Sequence, residues 1–346
     1  MNRTRMLVTL AVAAVLAVLA YLQFRTWQEF DWPLMLVQLR HARALNLLAG
    51  VALIYSVYYL RALRWHIFLR PVQDVPTRRL LVPTVIGFTG LALLGRPGEL
   101  IRPYLIARRE GMKFSSQIAV WTVERIFDTG AVAALLAVVV FSGALASTPF
   151  FQRSPLALAR LHAFAWLLVA AVASVALVAL AVRRYGTPLA AALERRLAPL
   201  SARFARHVAN RVQAFGEGLN TIHDLASFLQ ITALSLLVWV AIGLAYVEVT
   251  HAYPALSDIT LAYSVLLMVS SMAGSVLQLP AVGGGSQLAV IKVLEAVFAV
   301  EPELAVGCGI MLWLITFMSV TPLGLFLAHR ERVSLRKAEE ASHLED

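Results

Sequence analysis

The sequence predicts an all-α fold, a polytopic transmembrane helix bundle with two oppositely oriented re-entrant helical hairpins that resemble an inverted repeat. The 346-residue chain is 60% hydrophobic and only 14% charged, whereas a soluble protein has about 25% charged residues. Its apolar residues fall in long runs of the length that crosses a bilayer. Two shorter runs adjoin turns that contain Pro and Gly, as expected where a chain enters the membrane and returns on the same side.

Nine apolar segments are separated by polar or charged connections. Two of them, 80–95 and 284–300, are short for a span, and the others are long enough. The first segment follows Arg3 and Arg5 and lacks a small-x-small cleavage site, so we expect an uncleaved span. The nine segments are 6–24, 46–68, 80–95, 115–141, 162–182, 225–249, 259–279, 284–300 and 303–328.

Basic residues in the connections predict the topology, because cytoplasmic loops carry an excess of Lys and Arg. Few basic residues occur in 142–161 and 250–258, which are therefore expected outside. If every segment crossed the bilayer, basic connections would fall on both sides. Hairpins at about 80–109 and 259–300 remove this conflict and leave six full spans with both termini cytoplasmic. The connections expected inside are the amino terminus, 70–79, 102–113, 183–224 and the tail.

One membrane domain is expected over residues 1–330, followed by a charged cytoplasmic tail at 331–346. In the connection 183–224, apolar residues recur every three or four positions with arginines between them. This pattern favours an amphipathic segment on an anionic membrane surface, divided by Pro199. An ordinary solvated connector is the alternative. Residues 25–45 are expected to form an interfacial helix with aromatic side chains at headgroup level.

A group of charges between Leu94 and Asp128 interrupts two almost wholly apolar flanks. Charged side chains in such surroundings are costly and usually mark a pathway or a site. Pro97 and Gly98 supply a sharp turn and a helix start. The first set of candidate substrate-binding residues is Arg96, Pro97, Gly98, Glu99, Arg102, Glu124, Arg125 and Asp128.

A glycine-rich turn interrupts the last third of the chain at 278–287. It lacks the GxGxxG pattern and follows no strand, which excludes a nucleotide-binding fold. Ser286 is expected to cap a helix over 287–300, and the free N–H groups at the start of that helix suit an anion. A plain interhelical turn is the alternative. Lys292 either pairs with Glu295 or supplies a mobile countercharge. The second set of candidate substrate-binding residues is Gly283, Gly284, Gly285, Ser286, Gln287 and Lys292.

Two helices that begin near the bilayer midplane are typical of transporters with inverted repeats. We expect the helix starts at Pro97 and Ser286 to face one polar cavity. Their positive dipole ends and the arginines of the first set would then hold a lipid phosphate. The carboxylates of that set would pair with the arginines when the site is empty. The alternative is that these charges only lock the helices together.

Two stretches resemble the motifs of the lysylphosphatidylglycerol synthase transmembrane (flippase-like) family. The first is GRPGELIRPYLIARREG with the following AVWTVERIFD, and the second is LPAVGGGSQLAVIKVLEAVF. Many members have a Glu soon after the glycines, where Ser286 and Gln287 stand here, so no role of that Glu is carried over. The resemblance covers about residues 5–330. It implies an integral membrane protein that moves a lipid, or a lipid-linked polar headgroup, between leaflets.

The resulting prediction is a lipid translocase without enzyme activity or a cofactor, in the bacterial cytoplasmic (inner) membrane. Its expected partners are membrane lipids, anionic or phosphate-bearing. Despite a net charge of +10, no nucleic acid is expected, because the basic residues flank apolar segments. Since the chain ends near Asp346, we expect no aminoacyl-transferring domain. The single Cys308 excludes an intrachain disulfide and a cysteine-based metal cluster.

Other classes of function stay open at this point. A non-transporting scaffold would recruit a lipid-modifying enzyme or glycosyltransferase through 183–224. A membrane enzyme would use two carboxylates on one helix face, although no nucleophile elbow or His-x-x-x-His motif accompanies them. No Walker motif supports ATP hydrolysis, and no sequence resembling a selectivity filter supports an ion channel.

Overall fold

Residues 31–199, 201–206, 224–275, 278–279 and 283–331 are described by a computed structural model. Their regular structure is helical apart from one short strand pair, which confirms the all-α prediction. The helices are α1 Trp32–Arg40, α2 Ala44–Leu69, α3 Thr77–Leu94, α4 Ile101–Glu110, α5 Phe114–Phe141, α6 Pro149–Arg153, α7 Pro155–Leu197, α8 Leu225–His251, α9 Leu261–Gly274, α10 Gly285–Phe298, α11 Pro302–Trp313 and α12 Val320–Arg330. The shorter elements are 3-10 helices at Arg96–Leu100 and Pro254–Leu256, a π-helical turn at Leu314–Met318, and strands β1 Gln278–Leu279 and β2 Gly283–Gly284.

Five helical segments in the described part are long and apolar enough to cross a bilayer. Four coincide with predicted spans, and the fifth, α3, is the first arm of the predicted hairpin. The 28-residue helix α5 is equally long but carries the predicted charges. The predicted span 6–24 lies outside the described residues. The five segments are Ala44–Leu69, Thr77–Leu94, Pro155–Val178, Leu225–His251 and Pro302–Arg330.

Apolar side chains cover the outer faces of the bundle. On α7, Trp166 and Leu177 are 62% and 66% exposed. Exposed apolar surface of this extent suits contact with lipid chains rather than with water. Helix α7 continues to Leu197 with a kink at Tyr185, so the predicted connection 183–224 begins inside this helix. The helix ends just before Pro199, as proline predicts.

Helices α3 and α4 form a hairpin that turns at residues 95–100. Gly95 has φ 75°, a conformation that favours glycine. The two arms lie close together, because a Cβ atom on Gly98 would collide with the carbonyl group of Gly90. At the open end of the hairpin, Arg79 Nη2 lies 3.0 Å from Glu110 Oε2. The chain therefore leaves and returns at the same end of the bundle.

Helices α9 and α10 form a second hairpin around the short strand pair. Gly274 packs against the backbone of Gly285, where a Cβ atom would collide with the carbonyl oxygen. At the open end, the ring centroids of Tyr263 and Phe298 are 5.0 Å apart. Both predicted hairpins are thus present as helical hairpins.

The start of α10 differs from the prediction. The helix begins at Gly285, one residue after Gly284 with φ 120°. The side chain of Gln287 folds back, and its Oε1 accepts the N–H of Gly284. The predicted cap at Ser286 was therefore wrong, because Gln287 satisfies the free N–H group instead.

The open ends of the two hairpins lie at opposite ends of the bundle. Helices α2 and α8 pack antiparallel: Arg64 contacts Ser235 at 2.7 Å, and Asn46 contacts Glu248 at 2.8 Å. The first hairpin follows the end of α2, and the second follows the end of α8. This arrangement is that of an inverted repeat. Re-entry into the bilayer stays a prediction.

The last span contacts both hairpins. On α11, Gly309 packs against Ile291 of the second hairpin, and on α12, Gly324 packs against Thr89 of the first. The π-helical turn lies between these contacts, and Tyr55 donates a hydrogen bond to the carbonyl oxygen of Ser319 at 2.9 Å. Such a turn inserts one extra residue into a helix and is frequent at functional sites.

Candidate functional site

Two carboxylates project from the middle of α5 into the bundle. Glu124 and Asp128 are one helical turn apart and both are buried. At 1.5 Å per residue, Asp128 lies about 21 Å from the start of the helix. The carboxylates meet arginines from two other helices. We define the charge cluster as Arg61 and Arg64 of α2, Arg102 of α4, and Glu124, Arg125 and Asp128 of α5.

Glu124 links three helices. Its oxygens accept hydrogen bonds from Arg64 Nη2 at 2.5 Å, from Trp65 Nε1 at 3.0 Å, and from both Nη atoms of Arg102. The side chain is fully buried. Because charge-assisted bonds to a buried carboxylate are strong, Glu124 acts as a lock between α2, α4 and α5.

Asp128 is held by three hydrogen bonds and a further ion pair. Its Oδ1 accepts from Arg64 Nη1 at 2.7 Å and from Trp239 Nε1 at 3.1 Å. Its Oδ2 accepts from Arg61 Nη1 at 3.3 Å and lies 3.0 Å from Arg125 Nη2. A carboxylate offers about four acceptor positions, so most of them are used within the cluster.

Arg61 and Arg64 were missed by the sequence analysis. Both belong to α2, an otherwise apolar helix, and both are buried. Two arginines three residues apart in a predicted span are the signal that would have indicated them. With them, four arginines face two carboxylates, and the cluster carries a net positive charge.

A cavity of about 390 Å³ adjoins the charge cluster. One wall carries Arg61, Arg125 and Asp128, and the opposite wall comes from the second hairpin and the last span. Phe88 and Leu91 of the first hairpin also face it. The uncharged polar residues that line the cavity from α8, the second hairpin and the last span are Tyr246, Ser271, Ser275, Ser286, Gln287 and Thr316.

Comparison with protein families supports the resemblance of the two motifs. The family described as the lysylphosphatidylglycerol synthase TM region matches residues 6–324. The chain belongs to this family. Neither the curated proteins nor the solved structures gave a match. With its long apolar helices, this member of the lysylphosphatidylglycerol synthase TM region family is an integral membrane protein.

Three buried N–H donors on the cavity-lining residues of this family member find no acceptor among the described residues. They are Arg61 Nε, Arg125 Nε and Trp313 Nε1. Buried donors are nearly always paired. Although these three atoms are themselves inaccessible, their N–H dipoles add to the positive charge of the cluster, which suits an anion in the cavity.

Arg125 differs from the rest of the cluster. Its side chain is 36% exposed, whereas the other members are at most 6% exposed. It also faces a second cavity of about 20 Å³ that is lined by Glu99 and Arg102. Arg125 therefore stands between the larger cavity and the turn of the first hairpin.

The structure brings together half of the predicted site residues. Arg102, Glu124, Arg125 and Asp128 belong to the charge cluster, Glu99 faces the small cavity, and Ser286 and Gln287 face the large one. Gly98 is buried in the turn, and Gly283, Gly284 and Gly285 lie at the tip of the second hairpin.

Three further predicted residues are exposed and also lie outside the charge cluster and the lining of the large cavity. Arg96 and Pro97 are exposed and are not among the residues that line the cavity. Lys292 is 73% exposed and pairs with Glu295 at 2.7 Å, which is the local pair weighed above. The described residues contain no group of His, Cys, Asp and Glu suited to a metal ion.

Proposed function

We propose that this protein is a lipid translocase that moves a phospholipid or a lipid-linked polar headgroup between leaflets. The observation that carries the proposal is the cavity of about 390 Å³ beside a buried, net positive charge cluster. An unpaired charged side chain inside the membrane is energetically costly, and ionisable residues at that depth usually mark a substrate pathway. The headgroup would occupy the cavity while the acyl chains remain in the bilayer.

Arg125 is the group we expect to bind the phosphate. It lines the cavity and is the most exposed member of the cluster. When it leaves Asp128, that carboxylate keeps Arg61, Arg64 and Trp239 as partners. The exchange therefore leaves no buried carboxylate unpaired, which would be strongly unfavourable.

The two hairpins supply the path in this proposal. We place them as re-entrant elements that enter the bilayer from opposite faces, with the cavity between their tips. Cytoplasmic termini in the bacterial inner membrane follow from the basic connections. The proposed process converts no bond in the lipid and uses no cofactor. A lipid-modifying enzyme or glycosyltransferase would act as a partner that supplies or consumes the lipid.

The test is lipid movement in vesicles that contain the purified protein. A phosphatidylglycerol analogue carries a fluorescent label on an acyl chain, and a membrane-impermeant reagent reduces the label in the outer leaflet only. The fluorescence that is protected therefore reports the analogue in the inner leaflet. We expect the wild type to move the analogue well above protein-free vesicles, and Arg125→Gln to lower the rate at least tenfold.

Arg160→Gln is the matched control, since Arg160 is exposed and makes no ion pair with a described residue. It should transport like the wild type. If the wild-type protein moves no lipid, translocation is excluded and a scaffold role becomes the better explanation. If Arg125→Gln and Arg160→Gln are equally active, the role given to Arg125 is wrong.

A further inference from the structure

We infer that the cavity accepts headgroups whose only charge is the phosphate, and that it discriminates against headgroups that also carry an ammonium group. The inference rests on the proposed translocation and names the class of lipid that the same site selects. Three features of the cavity support this inference. Its arginines outnumber its carboxylates, the oxygens of its one carboxylate are already hydrogen-bonded, and the rest of its polar lining is uncharged.

The charged wall attracts a single anion. Arg61 and Arg125 line the cavity with a single carboxylate, Asp128, beside them, and the side chain of Arg125 is partly exposed. A phosphodiester has two unesterified oxygens with several lone pairs, which fits planar guanidinium donors. The phosphate therefore supplies the negative charge that this wall lacks.

An ammonium group would find no carboxylate to bind. Asp128 is the one acidic residue among the described residues that line the large cavity, and it stays hydrogen-bonded to Arg61, Arg64 and Trp239 when Arg125 turns to the phosphate. Glu99 faces only the cavity of about 20 Å³, which has room for about one water molecule.

The opposite wall is polar but neutral. Thr316 and Ser275 donate their hydroxyl hydrogens to backbone carbonyls at 2.7 and 2.6 Å, which leaves their oxygen lone pairs directed elsewhere. Such oxygens accept hydrogen bonds from alcohols without adding charge. A glycerol or sugar hydroxyl beyond the phosphate suits this wall, whereas an ammonium group would be held near two arginines without a countercharge.

The first test compares lipids in identical vesicles. The two acyl-labelled lipids differ only in the headgroup. Beyond the phosphate, phosphatidylglycerol carries hydroxyl groups, whereas phosphatidylethanolamine carries an ammonium group. We expect the wild type to move the first at least tenfold faster. Equal rates would overturn the selectivity while leaving translocation intact, and movement of neither lipid would instead refute the proposed function.

The second test adds a negative charge to the neutral wall. Gln287→Glu keeps an acceptor oxygen for the N–H of Gly284 and should raise the rate for phosphatidylethanolamine relative to phosphatidylglycerol at least threefold. Gln152→Glu is the control, because it makes the same change on an exposed residue of α6. An unchanged ratio in folded Gln287→Glu would contradict the inference.

Native mass spectrometry checks the ligand without a transport assay. Protein extracted from membranes that contain both lipids should retain the phosphatidylglycerol class over the phosphatidylethanolamine class. Retention of phosphatidylethanolamine in excess, or of inorganic phosphate without any lipid, would overturn the proposed selectivity. This readout remains informative if Gln287→Glu fails to fold.

Discussion

Replacing Glu124 by Gln tests whether the buried part of the charge cluster holds the helices together. The change keeps the shape of the side chain but converts one acceptor oxygen into an NH2 donor. That donor would face N–H groups of Arg64, Arg102 or Trp65, all of which now donate to Glu124. Arg102 would lose its one ion-pair partner among the described residues, and Arg64 would keep only Asp128. Breaking a buried pair in this way costs about 3–5 kcal/mol.

The same substitution at Glu99 provides the comparison. Glu99 is half-buried beside the small cavity and makes no ion pair with a described residue. Its replacement by Gln should cost less than about 1 kcal/mol, as for partly solvated charges. A loss of 3–5 kcal/mol corresponds to a fall in melting temperature of roughly 4–7 °C for a chain of this size.

Cys308 provides the assay. It is the single cysteine of the chain and is fully buried, so a dye that fluoresces on reaction with a thiol reports unfolding in detergent. Glu124→Gln should melt roughly 4–7 °C below the wild type and Glu99→Gln within about 2 °C of it. Equal melting temperatures for the two variants would refute the assignment of Glu124 as a lock.

Two further predictions concern the hairpins. Gly98→Ala should destabilise the protein by about 1–3 kcal/mol, since a methyl group overpacks the contact between the two arms; Gly130→Ala, whose added carbon meets only ordinary contacts, should be neutral in the same thiol assay. In a cysteine-free background, single cysteines at the exposed positions Gln73 and Lys113 should react with an impermeant reagent from the same side of the membrane, and one at Ser257 from the other. Labelling of Gln73 and Lys113 from different sides would contradict a re-entrant first hairpin.

The architecture could be predicted from the sequence to a large extent. Apolar runs predict the spans, and Pro and Gly at 95–98 and 280–285 predict where the chain turns, because both signals are local. The interlocking of Gly98 with Gly90 could not be predicted, since it depends on how closely two separate helices approach.

The candidate site could be predicted only in part. Spacing on one helix face indicated Glu124 and Asp128, but their partners Arg61 and Arg64 come from a helix 60 residues earlier in the chain. Those arginines interrupt the apolar pattern of α2 too little to change its prediction as a span. Arg96 shows the opposite error, because proximity in sequence to the cluster did not place its side chain there.

The π-helical turn at Leu314–Met318 has a mechanical consequence. Helix α11 packs against one hairpin through Gly309, and α12 packs against the other through Gly324. We therefore expect this span to couple the two hairpins and to bend at the π-helical turn. Bending at this turn would tilt the hairpins against each other, and the space between their tips would widen toward one face of the bundle as it narrowed toward the other. Thr316 lies within the π-helical turn and lines that space. A lipid headgroup bound there would therefore change its contacts whenever the span bends.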